Sequence, residues 1–412
     1  MRLLPLAGLL LVAACTTSGQ GTSSDAPPSS APGTVSARPS PTPRTSSAPP
    51  STHRSTPAPA PSTKRPPPAA RSAAHVLAGM NLRDRVGQLL MVDCSTTGVS
   101  AATSTAIGQD HVGSVILDGT SYAGLAATRT VTDQLRGLAP KRVGLFISTD
   151  QEGGLVQRLQ GAGFTRIVSG VDQGRIAPST LQGYAQGWGR QLRRAGVNVN
   201  LAPVLDVVPA GFGSNPPIGD LEREFGHTPS AVTTHGVAVA KGMAAAGVDA
   251  TVKHFPGLGR VSGNTDTTGG ITDSITTRDD AYLAPFRAAI GAGVPFVMMS
   301  TAIYSRIDPG TPAAFSRTIV TGMLRGDLGF HGVIISDDLG GAAQVADYSP
   351  GQRAIAFVAA GGDLVLTVNA AQAGEMTAAL RQKAAASPAF RKLVDAAALR
   401  VLQAKQGRGL LG

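Results

Sequence analysis

Six points along the chain place reactive side chains directly after short runs of β-branched and apolar residues: Asp118, Asp150, Asp206, Lys253 with His254, Ser300 with Thr301, and Asp337. Carboxylates can serve as nucleophiles, proton carriers or acceptors of charge-assisted hydrogen bonds, and an amine or imidazole can grip a polar substrate. In a parallel sheet, the residue that ends a strand stands on the face where ligands bind. Some of these residues could cap the following helix, Asp206 above all, but capping does not account for the whole set.

The elements that would hold them alternate regularly. Eight apolar runs, at residues 86–92, 112–117, 143–148, 197–205, 248–254, 296–300, 332–336 and 363–367, are separated by helix-like segments, the pattern of parallel βαβ units. Thr228 with Pro229 opens one helix that Gly247 closes. Ser316 caps another, in which Ile319, Val320, Met323 and Leu324 make an apolar stripe, and Leu283, Phe286 and Ile290 make a third. Residues 73–412 lie in the size range of a single barrel with insertions. The expectation is an α/β fold, a (β/α)8 TIM-type barrel in one domain over residues 73–412. An open doubly wound sheet is the alternative, although no Gly-rich phosphate fingerprint follows the first strand and Gly153-Gly154 is too short to be one.

Five ordered segments resemble glycoside hydrolase family 3, most closely its single-domain β-N-acetylglucosaminidases, from about Leu82 to Leu411. They are Leu82-Arg83-Asp84-Arg85-Val86-Gly87-Gln88-Leu89; Asp150-Gln151-Glu152-Gly153-Gly154 with Val156-Gln157-Arg158; Leu201-Ala202-Pro203-Val204-Leu205-Asp206; Lys253-His254-Phe255-Pro256-Gly257; and Gly332-Val333-Ile334-Ile335-Ser336-Asp337-Asp338-Leu339. The resemblance implies that Asp337 is the nucleophile of a retaining mechanism with a covalent glycosyl-enzyme. It also implies that Asp150 grips sugar hydroxyls and that Arg158, Arg223, Lys253 and His254 contact substrate. Residue by residue, the alternatives are a structural ion pair or loop anchor, and for His254 a packed imidazole. Asp220-Leu221-Glu222 reads as a small insertion beside Arg223.

The chain departs from that pattern at its proton donor. The family follows Lys-His-Phe-Pro-Gly with His-Gly and then Asp-Ser-His, whose Asp and His form the acid/base dyad. Here the matching residues are Leu258-Gly259 and Asn264-Thr265-Asp266. Asp266 stands in the histidine's place and could donate the proton if desolvation raises its pKa. Alternatively, Gly-Asn-Thr-Asp is only a turn.

Outside the barrel, Arg2, the apolar run to Ala14 and Val12-Ala13-Ala14-Cys15 read as a lipoprotein signal over residues 1–14 with Cys15 as the lipidated residue. The run is too short to span a bilayer. The rest of 15–72 is Pro, Ser, Thr, Ala and Gly with almost no apolar content, a tether unable to build a core. The net charge of +10 is concentrated there: six basic residues against Asp25, together with Arg2, leave +4 for residues 73–412. With one Trp and no basic run interleaved with aromatics, a nucleic-acid partner is not expected. Cys94, the only other cysteine, reads as a buried small hydrophobe.

Together these features predict a retaining exo-β-N-acetylhexosaminidase acting on N-acetylglucosamine-containing cell-wall fragments, exported and lipid-anchored to the outer face of the membrane. No metal or organic cofactor is expected. A sugar-binding lipoprotein with a degenerate catalytic site is the alternative from another class. A β-glucosidase of the same family is a third, disfavoured because no second carbohydrate-handling domain follows Gly412.

Overall fold

The computed structural model describes residues 72–412 apart from Lys141. Eight parallel strands close into a barrel: β1 (Leu90–Ser95), β2 (Ser114–Asp118), β3 (Phe146–Thr149), β4 (Val199–Asn200), β5 (Asp249–Phe255), β6 (Phe296–Met299), β7 (Val333–Asp338) and β8 (Leu364–Thr367). Each strand pairs with its neighbours in chain order, and β8 returns to β1. The expected (β/α)8 architecture is therefore the observed one.

Period-two alternation divides the strands into two packing shells. Met91, Ile116, Phe146, Phe296, Met298, Ile335 and Leu366 point inward and fill the lumen, where the Phe146 and Phe296 rings meet edge to face at 5.3 Å. Val92, Val115, Leu117, Ile147, Val297, Ile334 and Val365 point outward beneath the helices. The same parity carries the chemistry. Asp118 follows inward Ile116, and Asp337 follows inward Ile335, by one two-residue step each.

Two strands differ from the sequence expectation. The run 86–92 begins as a helix, because Asn81 and Asp84 form a reciprocal capping box that winds Leu82–Gly87, and β1 starts only at Leu90. The run 197–205 yields a ladder of two residues, since Pro203 has no N–H to donate and Val204 makes only an isolated bridge with Lys253. The expected helix caps are present. The Thr228 hydroxyl accepts the Ala231 N–H, Gly247 adopts φ 80°, and Ser316 Oγ accepts the Ile319 N–H at 3.1 Å ahead of a π-wound segment, Thr318–Asp327.

The helix Pro388–Gly407 plugs the N-terminal end of the barrel. Its Val401 joins the lumen core, and its fully buried Lys405 donates to Gln88 Oε1 and to the Gly113 carbonyl, both at 2.7 Å. Among the described residues no helix is long and apolar enough to cross a membrane.

Candidate active site

At the opposite end, the upper layer of the lumen core, including Ile116, Leu201, Met298 and Leu366, forms the floor of a cavity of about 440 Å³. Asp150, Arg158, Arg223, Lys253, His254, Asp266 and Asp337, the residues singled out by the sequence, all line it, together with Asp118. Ser300 and Thr301 do not. They are fully buried; Ser300 Oγ accepts the Ala302 N–H at 2.9 Å just past the end of β6, and the Thr301 hydroxyl has no partner in the protein. A smaller cavity of about 210 Å³ at the N-terminal end holds Asp84, but His111 already occupies that carboxylate at 2.5 Å.

One wall is a buried ion network. Lys253 Nζ lies 2.5 Å from Asp150 Oδ1 and 2.6 Å from Glu152 Oε1, while Arg223 grips Glu152 through two parallel bonds of 2.7 and 2.8 Å. Burial works to lower the Lys253 pKa, but the Asp150 and Glu152 carboxylates more than offset it and hold the ammonium above its ordinary value. For Glu152, burial pushes upward and the Arg223 and Lys253 cations prevail, keeping the carboxyl well below the usual range. The wall is thus ionised and already assembled. Arg158 completes it with a buried Nε that has no partner in the protein.

Glu152 lies inside the Asp-Gln-Glu-Gly-Gly segment, and the family resemblance assigns it no role. A carboxylate two residues from Asp150 was the available signal. Gly153 after it is required by the fold: at φ 118°, an added Cβ would fall 2.2 Å from the Val168 carbonyl oxygen.

Asp206 caps no helix. Its fully buried carboxylate accepts His254 Nδ1 at 2.7 Å, the His254 N–H at 3.2 Å and the Leu258 N–H at 2.7 Å. A carboxylate can only accept, so Nδ1 carries the proton and Nε2 is left for the cavity. Leu258, where the family pattern has His, is buried and places its side chain on the cavity wall. The insertion beside Arg223 is a single 3-10 turn, Gly219–Leu221, whose Leu221 also lines the cavity.

Facing the ion network are two aspartates at the end of β7 with different surroundings. Asp338 accepts the N–H groups of Gly340, Gly341 and Val368 at 2.7 to 2.9 Å, which fastens the end of β7 to that of β8. Asp337 accepts only the Asp338 N–H, at 3.0 Å, so its carboxylate is otherwise open to the cavity. Asp266 reaches this place on a long excursion after β5. Asn264 shapes the turn by accepting the Asp266 N–H at 2.9 Å, and the loop is tied to the segment after β7 by Ala343 N–H to Asp266 O at 3.1 Å and Gln344 N–H to Thr265 O at 3.0 Å. Asp266 is exposed and is among the residues that line the cavity. Dehydration by the surrounding chain and, next, the Asp337 charge push its pKa up to about 6. The Gly-Asn-Thr-Asp segment is therefore a turn and also the carrier of a perturbed acid.

Among the described residues no three His, Cys, Asp or Glu side chains converge as metal ligands. Cys94 is buried, and burial followed by the Asp93 charge pushes its thiol up to about 12. Cys15 and the tether lie outside the described residues.

Residues 81–404 match the model of the glycosyl hydrolase family 3 N terminal domain. A β-hexosaminidase of Alkalilimnicola ehrlichii is 36% identical over 290 residues, covering 68% of this chain and 80% of its own. One of Stenotrophomonas maltophilia is 32% identical over 335 residues, 79% and 92% of the two chains. Among solved structures, the β-N-acetylhexosaminidase of Beutenbergia cavernae superposes with a TM-score of 0.79 at 50% identity, over 80% of this chain and 99% of that one. A family 3 β-N-acetylglucosaminidase from a Paenibacillus strain gives 0.74 at 33% identity, over 81% and 63%.

Proposed function

The chain belongs to glycosyl hydrolase family 3 and is a glycoside hydrolase of the β-N-acetylhexosaminidase type; on that premise we propose that it removes terminal N-acetylglucosamine from cell-wall fragments with retention of configuration, using Asp337 and Asp266. The observation that carries this reading is the pair of carboxyls at one cavity: Asp337 unencumbered, and Asp266 raised to about 6 in part by Asp337 itself. Asp337 attacks the anomeric carbon while Asp266 gives its proton to the departing oxygen, and a glycosyl-enzyme forms. Water then loses a proton to Asp266, attacks the same carbon and releases the sugar and the Asp337 carboxylate. Asp150, Lys253, Arg158 and His254 Nε2 hold the sugar hydroxyls. The cavity is blind, closed below by the lumen core, which suits a chain end rather than the middle of a polymer.

Two substrates with one glycone test the acid. Asp266→Ala is expected to slow a poor-leaving-group N-acetylglucosaminide by roughly 10²–10⁴-fold and an activated aryl one far less, with azide restoring the second step. Equal losses on both would mean a distorted pocket, and no loss would make Asp266 a turn residue only. Absence of Asp337 and Asp266 chemistry in a protein that still binds N-acetylglucosamine would establish the sugar-binding reading, which the missing dyad histidine at Asp266 favours. We further propose export and lipid anchoring through Cys15, with residues 16–72 as tether. Cys15→Ser should move the protein from membranes to the medium.

A further inference from the structure

Among the described residues seven large apolar side chains are exposed, and five of them, Tyr122, Leu155, Val168, Ile275 and Tyr348, sit on loops that follow barrel strands. Scattered exposed apolar residues are ordinary. Tyr122 and Leu155 are distinguished by exposures of 73% and 74% and by how firmly they are mounted beside the cavity.

Tyr122 lies four residues past cavity-lining Asp118, on the loop after β2. The preceding Ser121 donates its N–H to the Arg158 carbonyl and accepts the Gln160 N–H, both at 2.8 Å, and the Gly124 N–H reaches the Gln160 carbonyl at 3.0 Å. Gly161 packs so closely under this loop, at φ 90°, that a Cβ there would sit 2.1 Å from the Tyr122 carbonyl oxygen. Leu155 follows the Gly153-Gly154 corner, where the Gly154 N–H donates to the Ile167 carbonyl at 3.0 Å, and precedes Val156, which lines the cavity. Leu155 thus lies three residues before Arg158, and the Tyr122 loop is hydrogen-bonded to the stretch from Arg158 to Gln160. Leu155 stands at the turn of a short hairpin in which Gln151 pairs with Gln157 and Gly153 with Val156.

We propose that Tyr122 and Leu155 form the subsite for the sugar of the leaving group. This rests on the exo-hexosaminidase reading, in which the blind cavity takes the terminal sugar and the leaving group must project from the mouth. A pyranose ring has an apolar C–H face with its hydroxyls directed sideways. A Tyr ring offers such a face broad apolar contact, with only two side-chain torsions to fix and a hydroxyl left for water. Both side chains lie close in sequence to cavity-lining residues, Asp118 and Val156, and their exposure leaves their apolar faces open to such a contact.

The test compares kcat/KM for a β-1,4-linked N-acetylglucosamine disaccharide with that for N-acetylglucosaminyl fluoride, which has the same glycone and no leaving-group ring. Tyr122→Ser and Leu155→Ser should each lower the disaccharide-to-fluoride ratio about 3–10-fold. Tyr184→Ser, equally exposed in kind but on the outer helix Pro178–Arg194, should leave the ratio unchanged. An unchanged ratio in both loop variants overturns the subsite while the hexosaminidase reading stands. Failure of the parent protein to turn over either substrate overturns that reading, and the subsite with it.

Discussion

Two fully buried lysines stand at opposite ends of one barrel and behave oppositely. At the mouth, Lys253 sits between Asp150 and Glu152, and its ammonium is held above the ordinary pKa against the pull of burial. At the plugged end, Lys405 meets only Gln88 Oε1 and the Gly113 carbonyl, with the Phe146 ring 5.4 Å away, and burial brings its amine down to about 7. The same side chain is equally removed from water in both places, so the partners decide its charge. Around Lys253 the partners are carboxylates, whereas around Lys405 they are neutral dipoles. Substitutions at the mouth should therefore be read in activity, and those at the plug in stability.

The largest effect is expected at Asp337. Removing the nucleophile in Asp337→Ala should abolish nearly all turnover, by roughly 10³-fold or more, with little change in Tm because its carboxylate accepts only the neighbouring Asp338 N–H. Labelling of another carboxyl by a 2-fluoro glycoside would refute the assignment. Lys253→Met should damage both properties. It leaves Asp150 and Glu152 partly unpaired, so we expect a stability loss of about 3–5 kcal/mol, as when one partner of a buried ion pair is deleted, together with a large rise in KM. A variant with wild-type Tm would show that the network does not support the fold.

Smaller and more specific is the pH dependence set by Asp266. A general acid works protonated, so kcat/KM for a poor-leaving-group substrate should fall as pH rises through about 6. Asp266→Asn should remove that alkaline limb. Persistence of the limb in the variant would assign it to another group.

The smallest effect belongs to Lys405. Its folded pKa lies below the unfolded one, so between about pH 7 and 10.4 the unfolded chain holds a proton that the folded chain lacks, and stability rises with pH across that window. Relative to Lys405→Met, the parent's Tm should gain roughly 2–5 °C between pH 7 and 9.5, with activity unaltered. A difference that does not move with pH would mean that the buried amine keeps its proton.

Strand and helix positions were largely legible because hydrophobic periodicity is a local property. The Thr228 and Gly247 caps and the position of Asp118 and Asp337 at strand ends could be read from residue order alone. Where the expectation slipped, a local rule outranked the apolar run, as with the Asn81 capping box and the missing N–H of Pro203. The family's motifs marked Asp150, Arg158, Arg223, Lys253, His254 and Asp337 as one site, and all of them share the cavity.

The amino-acid sequence by itself determined the barrel, the ring of polar residues at its strand ends and the loss of the dyad histidine, because all three are matters of residue type and order along the chain. Tertiary structure alone decided that Asp206 orients His254, that Glu152 pairs with two cations at once, and that Asp266 comes to the same cavity as Asp337, with its pKa pushed up to about 6. Those outcomes depend on burial and on charges brought together from segments up to about a hundred residues apart. Desolvation and Coulomb interaction follow distance in space, which residue order does not contain.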